Sequence, residues 1–167
     1  AGRDYFILQG GNDTLDGGGG IDRLRFNRNE VTSGVNVDLA AGTATGQVQG
    51  NAFSHTIASI EEVFGSRFND TLRGSAMSEW LVGFEGDDVL ITGGGNDTLR
   101  GGGGADRFVL SGIGNVTISD FQIGFDVLDF RQIPITAAGV LAAFAAATEG
   151  GGGTSVNLGA AGTLFFN

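Results

Sequence analysis

The sequence contains no cysteine, one proline and one histidine, and its nine cationic side chains are all arginine. Without cysteine there is neither a disulfide framework nor a thiolate metal site. The lone His55 excludes multi-histidine zinc sites. It reads as a surface or spacer residue rather than a catalytic one. A single proline excludes collagen and proline-rich linkers. No apolar run approaches the roughly 18 residues of a membrane-spanning helix. Positive charge is also scarce: nine arginines face nineteen acids, for a formal charge of −10. Such a chain repels nucleic-acid phosphates and anionic membranes, so its natural small partners are cations. It opens at Ala1 without a charged and then apolar leader, and so reads as a piece of something longer.

Glycine is abundant, at 32 of 167 residues, where about 7 per cent is usual. Hydrophobic residues make up 41%, with 13 Phe, too many for a disordered chain. The length suits one domain, with or without a cap. The glycines recur in a repeat. Residues 65–73 (GSRFNDTLR), 74–82 (GSAMSEWLV), 83–91 (GFEGDDVLI), 92–100 (TGGGNDTLR) and 101–109 (GGGGADRFV) are five gapless nonapeptides. Position 6 holds Asp70, Glu79, Asp88, Asp97 and Asp106, and position 8 holds Leu72, Leu81, Leu90, Leu99 and Phe108. An earlier pair, LQGGNDTLD (8–16) and GGGGIDRLR (17–25), carries Asp13 and Asp22. The 48 residues from Asp22 to Asp70 are five nonapeptides plus three, so the segment between is out of register.

A glycine-dense hexapeptide can turn sharply, because Gly visits positive φ without steric cost. The next three residues are extended, with position 8 on one side and positions 7 and 9 on the other. Two turns and two strands make an 18-residue coil, and stacked coils give two parallel sheets around the position-8 side chains. Position-6 carboxylates then stack along each edge: Asp70, Asp88 and Asp106 on one, Glu79 and Asp97 on the other. At a strand spacing of about 4.8 Å, each bare pair repels by a few kcal/mol at an effective dielectric near 20. Against a net stability of about 5–15 kcal/mol, that demands a cation between the turns. The arginines lie mostly at positions 7 and 9, pointing away. A hard dication suits carboxylates with backbone carbonyls, and calcium tolerates irregular oxygen geometry where magnesium does not.

The pattern G-G-x-G-x-D-x-U-x, seen in GFEGDDVLI and GGGGADRFV, resembles the RTX (repeats-in-toxin, hemolysin-type) family. GVNVDLAAGTATG (34–46) and SIEEVFGSRFNDTL (59–72) resemble the spacer between its repeat blocks, and ISDFQIGFDVLDF (118–130) resembles the segment that ends its arrays. The resemblance implies an all-β fold: a parallel β-roll, or right-handed β-helix of nonapeptide repeats, with an irregular spacer and a small C-terminal cap. It divides one domain into a first repeat block (1–25), spacer (26–64), main block (65–118) and cap or secretion-signal-like region (119–167).

It also implies ligands. One calcium lies among Ser66, Phe68, Asp70, Gly83, Glu85 and Asp88, and a second among Phe84, Gly86, Asp88, Gly101, Gly103 and Asp106. A third, on the opposite edge, uses Ser75, Met77, Glu79, Thr92, Gly94 and Asp97, with Glu79 in place of the usual Asp or Asn. Gly102, Gly104 and Asp106 take a fourth with Asp120, and Gly93, Gly95 and Asp97 hold part of a fifth. Gln9, Gly11 and Asp13, and Gly18, Gly20 and Asp22, are half-sites whose partners are expected in the spacer near Asn27 to Glu30. About four to six ions in all are expected from these turns. Asp126 and Asp129 read as turn caps before ligands.

The glycine runs 17–20 and 101–104 lack the lysine and helix of a phosphate loop. Trp80, Val89, Ile91 and Val109 should point outward and need cover. The cover expected is a short helix over Ala137–Ala147, or a neighbouring domain. Residues 154–166 read as a terminal hairpin. No HExxH or GxSxG motif occurs. The functional reading is therefore a non-catalytic, calcium-dependent folding module of a larger secreted bacterial protein, exported by type I secretion machinery. The alternatives are the auxiliary module of a secreted metalloprotease, lipase or alginate epimerase, or an adhesive module that binds polysaccharide.

Overall fold

Each repeat folds as a glycine turn followed by a short strand. In the computed structural model, which describes residues 2–7, 10–112, 114–150 and 153–167, the strands run in chain order as follows. The first block holds β1 (Tyr5–Ile7), β2 (Thr14–Asp16) and β3 (Arg23–Arg25). The spacer holds β4 (Asn36–Asp38), β5 (Thr43–Val48), β6 (Asn51–Ala58) and β7 (Glu62–Phe64). The main block holds β8 (Thr71–Arg73), β9 (Trp80–Glu85), β10 (Val89–Ile91), β11 (Gly95–Gly103), β12 (Arg107–Ser111) and β13 (Gly114–Ile118). The cap holds β14 (Val127–Gln132), helix α1 (Ala137–Ala145), β15 (Thr148–Gly150), β16 (Gly153–Asn157) and β17 (Thr163–Phe166).

Two sheets result, ordered β1-β3-β7-β9-β11-β13-β17-β16-β15 and β14-β12-β10-β8-β4-β5-β6-β2. In the main block consecutive strands alternate between them, as in a β-roll. Thr71, Val89 and Arg107 lie side by side in one sheet, and Trp80 and Thr98 in the other, so the stacking step is 18 residues. Position 8 faces inward throughout. Leu24, Val63, Leu81, Leu99, Ile118 and Leu164 line one inner face, and Val37, Leu72, Leu90 and Phe108 the other, all fully buried. Burying each such side chain is worth about 1.5–3 kcal/mol, and this double column is the core.

The spacer interrupts only one sheet. In the first sheet β3 pairs directly with β7, parallel. In the second, β4 pairs antiparallel with β5 and β5 with β6, while β4 and β6 pair parallel with β8 and β2. An antiparallel meander is thus spliced between two coils of a parallel roll. Phe26 stacks on Phe53 at 5.7 Å, and Phe53 on His55 at 4.6 Å. His55 lies in the spacer but is buried, not on the surface.

The cap closes the far end. Thr136 caps α1 by accepting from the Gly139 backbone N–H at 3.1 Å. The predicted hairpin is β16 with β17, antiparallel, and β17 continues the roll by pairing parallel with β13. The helix sits elsewhere than expected. Phe144 meets Phe130 edge-on at 6.0 Å and Phe166 at 6.2 Å, so α1 covers the end of the roll rather than the outer face of Val89, Ile91 and Val109. The end exposes the inward column itself, including Leu128, Phe130 and Phe166, which pack against the core. On that outer face Val89 stands in register with Arg107, Ile91 with Arg73 and Val109, and Val109 with Asp129. Val109 is buried and Val89 and Ile91 are half-buried. Among the described residues, no helix is long and apolar enough to cross a membrane.

Candidate metal centres

The position-6 acids point into the turns. Asp22, Asp70, Glu79, Asp88, Asp97 and Asp106 are all less than 5% exposed. They are linked by one recurring bond. On one edge the backbone N–H of each position-6 residue of the main block donates to the carboxylate one coil onward: Asp70 to Asp88 Oδ1 at 2.7 Å, Asp88 to Asp106 Oδ1 at 2.9 Å, and Asp106 to Asp126 Oδ1 at 3.0 Å. On the other edge Asp4 donates to Asp22 at 2.7 Å, Asp22 to Glu61 at 2.8 Å, and Glu79 to Asp97 at 3.1 Å.

That bond uses one oxygen. The other is buried without a hydrogen-bond partner in Asp22, Asp88, Asp97 and Asp106, and so is Oε2 of Glu79, whose Oε1 takes the Ser75 hydroxyl instead. It folds back over the turn's first residue, which explains glycine there. A Cβ on Gly83 would lie 2.0 Å from Asp88 Oδ2 and 2.6 Å from the Gly101 carbonyl oxygen. One on Gly101 would lie 2.0 Å from Asp106 Oδ2. The orphaned oxygens of Asp88 and Asp22 thus lie beside a neighbouring coil's carbonyl, that of Gly101 and of Ser59.

The cost appears in the proton affinities. Burial pushes Asp88 up to about 8 against the Asp70 N–H it accepts, and Asp70, Asp106 and Asp87 push the same way. Burial lifts Asp97 to about 7, with the Glu79 charge adding to it. Burial lifts Asp106 to about 6, aided by Asp126, Asp120 and Asp87. Asp70 is also raised by burial, but it is the best satisfied of the set. Its oxygens accept from the Ser66 backbone at 2.5 Å, the Ser66 hydroxyl at 2.8 Å and the Val35 backbone at 2.7 Å. A buried unpaired carboxylate is costly unless neutralised by a proton or a cation. A dication fits these donors: one or two carboxylates with carbonyls, all oxygen. Among the described residues no three His, Asp or Glu side chains converge, so carbonyls or waters must complete any coordination sphere.

In the first set the Asp70 N–H donates to Asp88 Oδ1, and a Cβ on the neighbouring Gly65 would meet Asp70 Oδ2 at 2.2 Å and the Gly83 carbonyl oxygen at 2.8 Å. In the second set the Asp88 N–H donates to Asp106 Oδ1 and the Gly86 N–H to the Gly103 carbonyl, both at 2.9 Å, and Asp88 Oδ2 lies beside the Gly101 carbonyl. In the third, Glu79 reaches the Gly74–Gly93 contact as a shorter Asp would, and its other oxygen takes the Ser75 hydroxyl. In the fourth, Asp120 accepts from the Gly101 and Gly102 backbones at 3.0 and 2.9 Å, while Asp126 occupies the stacked position beyond Asp106. The fifth set has no second acid, because Val116 stands beside Asp97 in the next coil. Asp129 pairs with Arg107 and Arg131 instead of lining a turn.

The half-sites differ most from expectation. Gln9 lies outside the described residues. Asn29 bonds Arg67 and Glu30 pairs with Arg28 at 3.7 Å, so the 27–30 segment does not serve Asp22. Glu61 does. Asp13, half exposed, faces His55, whose Nδ1 accepts the Asp13 backbone N–H at 3.0 Å. An imidazole therefore fills the slot that a carboxylate fills elsewhere. Burial lowers the His55 pKa, against the Asp13 charge, which favours the neutral ring needed to accept that bond. Two more position-6 acids went unread in the sequence. Asp4 lies nine residues before Asp13, and Glu61 lies 18 before Glu79.

Residues 1–24 and 79–118 match the family model of the RTX calcium-binding nonapeptide repeat, in four copies. Comparison with curated proteins finds no match. Among solved structures, the chain is similar to the crystal structure of the extracellular lipase LipA from Serratia marcescens. That similarity is 17% identity with a TM-score of 0.35, over 99% of this chain and 34% of that one. The chain thus spans about a third of that lipase's length, and a likeness so distant adds nothing to the fold described above. Stacked glycine turns and buried acids one coil apart agree with the family match: residues 1–24 and 79–118 carry repeats similar to the RTX calcium-binding nonapeptide.

Proposed function

We propose that the chain is a calcium-dependent folding module, without catalysis of its own, within a longer secreted bacterial protein exported by type I secretion. The observation that carries this reading is the set of five buried carboxylate oxygens without partners, in Asp22, Glu79, Asp88, Asp97 and Asp106. The calcium ions would be held by the turns named above, with Asp88 serving two of them. The ion would supply the missing positive charge, while the chain supplies carbonyls and carboxylates preset by its turns. Free of metal, mutual repulsion and glycine's chain entropy oppose the fold. With metal, binding free energy becomes folding free energy. Extracellular calcium modules bind at roughly 10⁻⁴–10⁻³ M, a range that leaves the chain open in a low-calcium cytosol and folded outside.

The test is circular dichroism during a calcium titration. Strand signal should be largely missing in excess chelator and should rise sigmoidally with calcium. Full strand signal in chelator would sink the reading. Asp88→Ala should remove two ions, and loss of only one would contradict the shared role.

A further inference from the structure

The nonapeptide pattern stops at Arg25 and resumes at Gly65, yet the edge column of acids does not stop. Glu61, in a spacer stretch without glycine, occupies the position-6 slot of the coil between Asp22 and Glu79. The Asp22 backbone N–H donates to Glu61 Oε2 at 2.8 Å, and the Trp80 N–H donates to the Glu61 carbonyl at 2.8 Å. The turn that carries Glu61 is abbreviated, and only Ser59 and Ile60 separate Glu61 from β6. Ser59 stands where other turns have their first glycine. The Gly17 N–H donates to the Ala58 carbonyl, as the Gly65 N–H does to Val82.

Asp22 is fully buried, and its Oδ2 has no partner. A Cβ on Gly17 would lie 2.7 Å from that oxygen and 2.1 Å from the Ser59 carbonyl oxygen, so the two oxygens converge on one point. The nearby cations are engaged elsewhere, since Arg3 and Arg23 both pair with Glu62 on the outer face. On the far side of Glu61, a cavity of about 90 Å³, lined by Ser59, Glu61, Ser75 and Glu79, has room for water.

We infer that Asp22, the Ser59 carbonyl and Glu61 form a divalent-cation site that staples the first repeat block to the end of the spacer. The inference rests on the calcium reading of the repeats and extends it to a turn that lacks the repeat sequence. The ion is a hard one with water in its remaining positions, because the short turn has no counterpart of the carbonyls that longer turns offer. Its ligands bracket residues 23–60, so the ion closes the whole meander as a loop and holds it in register.

Glu61→Gln separates ligand from scaffold: it keeps an oxygen for the Asp22 N–H but loses the charge. Bound calcium should be counted by equilibrium dialysis in the full chain, with hydrogen exchange measured at the same calcium concentration. The expected result for Glu61→Gln and for Asp22→Asn is one ion fewer than wild type. Exchange should be faster over residues 10–58 and unchanged over residues 83–109. An unchanged ion count in Glu61→Gln would overturn the site. If Asp22→Asn lost protection over 83–109 as well, it would have lost its fold, and Glu61→Gln alone would decide. A wild-type chain that bound no calcium would instead refute the parent reading.

Discussion

The hexapeptide GGNDTL occurs twice, at 10–15 and at 94–99, and its two copies have opposite fates. Asp97 is 2% exposed, is lifted to about 7 by burial and has an oxygen without a partner. The Asp13 side chain is 52% exposed and faces an imidazole. Leu99 is fully buried, whereas Leu15 is only half-buried. The six letters are the same, so the difference comes from the coils on either side. Asp97 stacks beneath Glu79 in an unbroken parallel sheet. Asp13 stacks against β6, the last strand of the inserted meander. A turn of this kind buries its acid through its neighbours, not through its own sequence.

Substitutions at matched positions sharpen the comparison. The largest contrast is expected at the second glycine. Gly95 and Gly11 both have positive φ, at +80 and +90°, but a Cβ on Gly95 would lie 1.8 Å from the Met77 carbonyl oxygen, while one on Gly11 meets nothing within 4 Å. Gly95→Ala should cost roughly 3 kcal/mol or more, from overpacking added to strain, and Gly11→Ala about 1–2 kcal/mol. Chemical denaturation in saturating calcium would measure both, and equal costs would break the comparison.

The acids come next. In calcium, Asp97→Ala should destabilise by about 2 kcal/mol, on the scale of a charged hydrogen-bond acceptor removed, and Asp13→Ala by much less. In chelator the sign for Asp97 should reverse, because the substitution removes a buried unpaired charge. Thermal melts in calcium, and the residual strand signal of variant against wild type in chelator, would show whether it does.

Protons should stand in for metal, more weakly. Without calcium, Asp97 and Asp88 have folded values raised from 3.8 to about 7 and about 8. A raised carboxylate stabilises the fold fully below its unfolded value and loses that contribution as pH rises through its folded value. Metal-free protein should therefore hold more strand at about pH 5 than at about pH 8, and calcium should bind more tightly as pH rises. Circular dichroism across pH, with and without chelator, checks both directions. The smallest effect is expected at the other copy. His55→Asn forfeits the stack on Phe53 and should cost about 0.5–1.5 kcal/mol by denaturation.

Much of this was legible before any coordinates. Period nine gave the turns, position 8 gave the inward columns and position 6 gave the two edges. The misreadings share a physical cause, which is that the insertion breaks the count. Reading forward from Asp22, the register is lost and His55 looks like a loop residue. Reading backward from Glu79 in steps of 18, Glu61 and Val63 fall into place. The helix was misplaced for a different reason. A pattern along one chain shows which residues are apolar, but the open end of the roll competes for cover with its outer face. The open end carries Phe130 and Phe166 and has the greater need.

The two ends of the roll are unlike. One is sealed by α1 and the β16–β17 hairpin. At the other, β1 and β2 are the outermost strands of their sheets, and Phe6 and Leu15 are only half-buried. A stack in which each layer touches only its neighbours behaves as a one-dimensional array. Its assembly then has a direction: order seeded at the sealed end would pass from coil to coil away from α1.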